Sequence, residues 1–159
     1  MGREETIHIL EERTRQKLSK LDAVYVNIAK EVGSLSNCER SKVGAILVKD
    51  GNIISMGYNG TPKGFDNCCE DVVVVDGESK LVTKKEVLHA EMNAVLKAAR
   101  TGNSVEGSTL YITLAPCIDC SKYLLQSGIR RVVYLEEYRD NSGVTLLGNY
   151  IKVEKYDVK

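Results

Sequence analysis

Apolar residues near the start of the chain recur on three- and four-residue steps. Leu10, Leu18, Leu21, Val24, Tyr25, Ile28 and Val32 form one stripe with charged residues between them, which predicts an amphipathic helix. Gly33 and the serine-containing stretch 34–36 stop it. The first dozen residues, rich in Glu and Arg, read as a solvated extension; a separate turn, a frayed arm or an oligomer contact are the other readings. Two apolar runs, 43–48 and 53–58, then flank Lys49-Asp50-Gly51-Asn52. An Asp-Gly pair between apolar runs predicts a β-hairpin. A long loop, 59–70, follows with Gly60, Pro62, Gly64 and the adjacent Cys68 and Cys69. Long loops inside a compact domain are usually functional or mobile. Residues 72–75 read as a short strand ended by Asp76-Gly77.

The second half alternates regularly. Residues 89–100 read as a helix with Met92, Val95, Leu96 and Ala99 on one side and Gly102 after its end. A strand at 109–114 is broken by Ala115-Pro116, and a helix at 117–126 is closed by Gly128. A strand at 131–135, a polar loop at 136–143, a short helical turn and a last strand at 151–156 complete the chain. Strands separated by helices imply an α/β layered domain whose later strands run parallel. There is no internal repeat or linker, so 1–159 reads as a single domain, with 1–18 as an N-terminal helical extension.

Composition narrows the function classes. The 159 residues carry 22 Lys and Arg against 22 Asp and Glu, a formal net charge of zero. A nucleic-acid binder normally has a basic surplus, so a polymer partner is not expected. A small phosphorylated substrate held by two or three local cations is compatible with neutrality. No apolar run approaches the roughly 18 residues of a membrane helix. The first residues lack the apolar stretch of a secretory signal, so a cytoplasmic location is expected. Five cysteines and two histidines are the informative rarities. The cysteines are odd in number and not spaced as a disulfide framework, which favours metal binding or thiol chemistry.

His89-Ala90-Glu91 opens one helix, and Pro116-Cys117-Ile118-Asp119-Cys120 opens the next. Cys117 and Cys120, three apart, share a face in a first helical turn, where the macrodipole favours thiolates. With His89 they make three zinc ligands, the number of a catalytic site whose fourth position is left to water. Glu91 sits two residues from a ligand and suits a proton shuttle. On an ideal helix positions i and i+2 point to opposite sides, so either His89 lies at the helix entrance or Glu91 curls back. Alone, the Cys-x-x-Cys pair fits redox activity or simple burial, and His-x-Glu arises by chance. A structural zinc completed by Cys38, Cys68 or Cys69 is another reading. The two motifs together, the first cysteine 28 positions after the histidine, form a far more specific zinc-deaminase pattern.

These residues resemble the cytidine deaminase-like superfamily, and among its members the deoxycytidylate (dCMP) deaminases. The likeness runs from about residue 37 to 138. It rests on Ser41-Lys42-Val43-Gly44-Ala45, Gly57-Tyr58-Asn59-Gly60-Thr61-Pro62, His89-Ala90-Glu91-Met92-Asn93-Ala94 and Ala115-Pro116-Cys117-Ile118-Asp119-Cys120. It implies a three-layer α/β/α fold around a mixed five-stranded sheet. It also implies attack of a zinc hydroxide on C4 of cytosine, converting dCMP to dUMP and ammonia. Glu91 is then the catalytic residue, and His89, Cys117 and Cys120 hold the zinc. Asn59 bonds the sugar, while Val43 and Ala90 line the base pocket. For the phosphate, Arg40 and Arg139, with Tyr138 beside it, are favoured over Lys42 and Lys63, because guanidinium suits bidentate phosphate binding.

The resemblance further implies a hexamer switched by dCTP and dTTP, with Gly57, Tyr58, Asn59 and Gly60 near the effector site. Mg2+ would accompany the triphosphates. Glycine at a hairpin end has a plain conformational explanation beside that one. Some phage relatives hold a second, structural zinc at the positions of Cys38 and Cys68, completed by a histidine before the His-Ala-Glu motif. Residues 71–88 contain no histidine here, so free or partly buried thiols are the favoured reading of Cys38, Cys68 and Cys69. His8 reads as a surface helix residue. The competing functions are a deaminase of cytidine, cytosine or tRNA adenosine, and a non-catalytic zinc-stabilised interaction domain.

Overall fold

The computed structural model describes residues 2–158. Its first element is helix α1 (Arg3–Gly33). Strands β1 (Gly44–Lys49) and β2 (Asn52–Tyr58) form the expected hairpin. At the hairpin turn Asp50 and Gly51 both take positive φ, 51° and 74°, the backbone that matches strand twist in a two-residue turn. A second hairpin follows, β3 (Glu70–Val75) and β4 (Glu78–Thr83), and its turn at Asp76 and Gly77 has the same geometry. The pattern of the sequence leaves β4 unrecognised: all six of its residues are exposed, so no buried face marks it. The remaining elements are α2 (Ala90–Arg100), β5 (Thr109–Leu114), α3 (Ile118–Gln126), β6 (Arg131–Glu136), α4 (Ser142–Gly148) and β7 (Lys152–Lys155).

The main sheet has five strands in the order β2-β1-β5-β6-β7. β1 is antiparallel to both β2 and β5, whereas β5, β6 and β7 are mutually parallel. The sheet is therefore mixed, with α3 and α4 as the crossovers. Both faces are covered, and the side-chain alternation sorts residues between them. Ala45 and Leu47 of β1, Leu110 and Ile112 of β5, and Val132 and Tyr134 of β6 pack with Ala90, Ala94, Leu124 and Leu147 of α2, α3 and α4. The intervening Ile46, Val48, Tyr111 and Val133 pack under Val26, Ala29 and Val32 of α1. Such two-sided burial explains why these strands read as continuous apolar runs.

Helix α1 differs from its expected form. It is one helix of 31 residues, about 46 Å long at 1.5 Å per residue, and it includes the residues read as an extension. Its C-terminal part supplies the buried residues, while Ile7, Leu10 and Leu18 are about half exposed, at 45%, 56% and 57%. Asp22 fastens it to the sheet: Arg131 donates to both carboxylate oxygens at 2.7 and 3.0 Å, and the Tyr111 hydroxyl donates at 2.6 Å. Among the described residues no helix is long and apolar enough to cross a membrane.

Candidate active site

Helices α2 and α3 begin side by side at one end of the strands, and each begins with a candidate ligand. His89 is the N-cap of α2, with extended backbone at φ −71° and ψ 156°. Cys117 is the N-cap of α3 in nearly the same conformation, and Cys120 lies in the first turn. The extended backbone at His89 removes the geometric difficulty of the His-x-Glu motif. The histidine stands outside the helix, so it and Glu91 are not bound by the opposition of helical i and i+2 positions.

Two glycines permit this arrangement. Gly57 of β2 is buried against the first turns of α2, where a Cβ would collide with backbone atoms of Ala90 and Ala94. Gly143 of α4 packs on the entrance of α3, where a Cβ would collide with Pro116 and Cys117. Asn93 adds a tether, donating from Nδ2 to the Tyr58 carbonyl at 2.7 Å. Gly57 packs beneath the helix that carries Glu91.

His89 Nδ1 lies 3.6 Å from Cys117 Sγ and 3.4 Å from Cys120 Sγ. The three ligand atoms all fall within 4.8 Å of one another, the one such cluster among the described residues. Hydrogen bonds from Cys120 and then His89 pull the Cys117 thiol down to about 4. Its bond to Cys117 pushes Cys120 up, reinforced by burial and by the nearby Glu91 charge. The bond to Cys117 also raises His89 above its ordinary value. The cluster thus concentrates negative charge and shared protons, and a divalent cation relieves both. One imidazole and two sulfurs at this spacing fit zinc in type and number.

Glu91 is buried to 3% exposure beside this cluster. Burial raises its carboxyl above the ordinary carboxylate range, against the lowering influence of its own backbone N–H and of His89. A carboxyl in that environment is a strong enough base to take a proton and a strong enough acid to return it.

A cavity of about 400 Å³ opens over the cluster. His89, Glu91 and Cys117 form part of its wall, and so do Val43, Ala90, Asn59, Arg40, Tyr138 and Arg139. The fold thus gathers into one cavity all the residues expected to bind substrate. The Arg139 guanidinium lies over the Tyr138 ring, 5.5 Å from its centre. Lys42 is instead bonded to the Ser36 carbonyl, and Lys63 lines a different cavity. Asn59 serves the scaffold as well: its Oδ1 accepts from the Val43 N–H at 2.8 Å and its Nδ2 donates to the Ser41 carbonyl at 2.7 Å. One amide hydrogen of Asn59 is left over for a ligand.

The sequence reading missed Glu70, Thr83, Val87 and Leu114, which also line the cavity. Of the three remaining cysteines, two differ from the expected free thiols. Cys38 and Cys69 are joined by a disulfide, and only Cys68, exposed, keeps a thiol there. Cys38 is therefore neither a free thiol nor available as a zinc ligand with Cys68. No spacing rule signals this pairing; the turn after α1 and the start of β3 meet only in the folded chain.

Residues 19–136 match the family described as the cytidine and deoxycytidylate deaminase zinc-binding region. The chain belongs to that family. Within it, the chain is similar to the deoxycytidylate deaminase of phage T4, 39% identical over 150 residues, covering 73% of this chain and 78% of that one. It is 38% identical over 110 residues to the human deoxycytidylate deaminase, covering 66% of this chain and 59% of the human protein. The crystal structure of dCMP deaminase from cyanophage S-TIM5, in complex with dCMP and dUMP, superposes with a TM-score of 0.77 at 43% identity, covering 86% and 97% of the two chains.

Proposed function

We propose that the chain, working as one domain in the cytoplasm, hydrolyses dCMP to dUMP and ammonia. The observation that carries this is the buried, non-ligating Glu91 beside a three-ligand metal cluster at one cavity wall that also holds two arginines. The dCMP and dUMP bound by the cyanophage enzyme support the choice of substrate.

His89, Cys117 and Cys120 hold zinc, which when bound supplies Lewis acidity and makes water a stronger acid. Glu91 carries one proton of the attacking water to N3 of the base as the oxygen bonds to C4, and then the second to the amino nitrogen as the C4–N bond breaks, leaving C4=O and ammonia. Val43 and Ala90 flank the base. The free amide hydrogen of Asn59 meets the sugar, and Arg40 and Arg139 meet the phosphate. The zero net charge suits this reading, because only the cavity needs to be cationic.

Regulation by dCTP and dTTP, with Mg2+ on the triphosphates, belongs to the same reading. A second cavity of about 540 Å³ is lined by Tyr58, Asn59 and Gly60 together with Lys63, Lys97 and Arg100. Asn59 borders both cavities, which favours communication between them. A homo-oligomer, a hexamer in this reading, draws support from the exposed apolar row on α1.

Ammonia release from cytosine, cytidine, dCMP, dCTP and adenosine tests the substrate. Activity is expected on dCMP and is expected to fall about 10³-fold in Glu91→Ala. Turnover of dCMP that survives that substitution sinks the mechanism. Hyperbolic dCMP kinetics unaffected by either triphosphate would remove the regulatory part alone.

A further inference from the structure

The segment that brings Arg40 to the cavity belongs to neither α1 nor β1, and it is anchored to the root of the β3–β4 hairpin at two places. One is the Cys38–Cys69 disulfide. The other is the Glu70 carboxylate, whose Oε1 accepts the backbone N–H groups of Glu39 at 3.0 Å and Arg40 at 3.1 Å. Glu70 is buried, and among the described residues no cation pairs with it. Burying a carboxylate is costly, and here one of its oxygens, Oε1, accepts two consecutive main-chain donors. Thr83 is the direct ladder partner of Glu70, and its hydroxyl oxygen accepts a bond from Arg40 Nη1 at 3.0 Å. Backbone and guanidinium of Arg40 therefore rest on one rung of the hairpin. Thr83 takes one of five guanidinium donors, leaving the others for a bidentate anion.

We propose that Glu70 is a positioning residue that, with Thr83, presets Arg40 for the substrate's 5′-phosphate. The inference rests on the dCMP reading above. It makes the β3–β4 hairpin, otherwise an exposed appendage to the sheet, a specificity element. A preset arginine lowers the ordering cost of binding a phosphate, so the contribution belongs in KM more than in kcat.

The test compares kcat and KM for dCMP in zinc-loaded wild type, Glu70→Ala, Glu70→Gln, Arg40→Ala and the Arg40→Ala/Glu70→Ala double variant. Glu70→Ala is expected to raise KM about tenfold with kcat changed less than about threefold. Glu70→Gln, whose carbonyl oxygen still accepts both N–H groups, is expected to recover most of that loss. The double variant is expected to match Arg40→Ala, because Glu70 acts through that side chain. An unchanged KM in Glu70→Ala, or effects that multiply in the double variant, overturns the proposal. Should Glu70→Ala fail to fold, Thr83→Val at its exposed position carries the test: KM is expected to rise about threefold, and an unchanged KM overturns the role. A wild-type chain that releases no ammonia from dCMP overturns the substrate reading and this one with it. A wild type active on dCMP, beside a Glu70→Ala enzyme of unaltered KM, overturns the positioning role only.

Discussion

At the scale of single residues, the two cluster cysteines are chemically unequal although they are three positions apart. Cys117 is held near 4 by its neighbours, so it is a thiolate at neutral pH. Cys120 is pushed upward by that thiolate and keeps its proton. In the proposed site, zinc binding must expel the Cys120 proton and any proton on His89, whose affinity for it is also raised. Protons and metal compete, so zinc affinity falls as pH falls. Chelator competition at pH 6, 7 and 8 is expected to give an increase of about tenfold to a hundredfold per pH unit; a flat profile would mean that Cys120 is not a ligand. The cluster was legible in the sequence because ligand chemistry is tied to short spacings. Glu70, Thr83, Val87 and Leu114, elsewhere on the cavity wall, were not. Glu70 and Thr83 act through bonds to residues 30 and 43 positions away, and no local pattern encodes such a pairing.

At the scale of elements, the site depends on how closely α2 and α3 approach their neighbours. The hairpin, the crossover helices and the parallel strands could be read from alternation and turn residues, since local propensity and burial agree there. Helix α2 begins one residue later than its apolar pattern suggests, and the residue left outside it is His89, the candidate ligand. The close approach at Gly57 was visible only as a glycine near a hairpin end. Gly57→Ala is expected to push α2 outward and to cost about 2 kcal/mol, with weakened zinc retention as the accompanying sign. Thermal unfolding and metal content measure the two effects. A variant with unchanged melting and full zinc would mean that the helix start tolerates the displacement.

At the scale of the molecule, one network joins α1 to the sheet through Asp22, Tyr111, Arg131 and Glu154. Burial on its own raises the Asp22 carboxyl, but the bonds from Arg131 and Tyr111 outweigh it and hold the group below its ordinary 3.8. Folding thus favours the ionised form. This stabilisation is fully present above the unfolded value and is lost as pH falls through the lower folded one. Asp22→Asn is expected to cost about 2 kcal/mol at pH 7 and to flatten the acid-induced loss of stability below about pH 4. Denaturant midpoints across that range would measure it, and a variant with an unaltered acid limb would exclude Asp22 as its source.

The long first helix has a consequence in exchange kinetics. Its inner turns, at Val26, Ala29 and Val32, lie in the core, whereas Ile7, Leu10 and Leu18 of the outer turns are about half exposed and belong to neither core cluster. Helical turns without tertiary support are marginal in water. Amides in the outer turns are therefore expected to take up solvent deuterium orders of magnitude faster than those of the inner turns. A second copy laid along the apolar row would slow that uptake, making it dependent on protein concentration. The boundary between fast and slow amides along α1 then becomes a direct readout of assembly, registered on the chain itself.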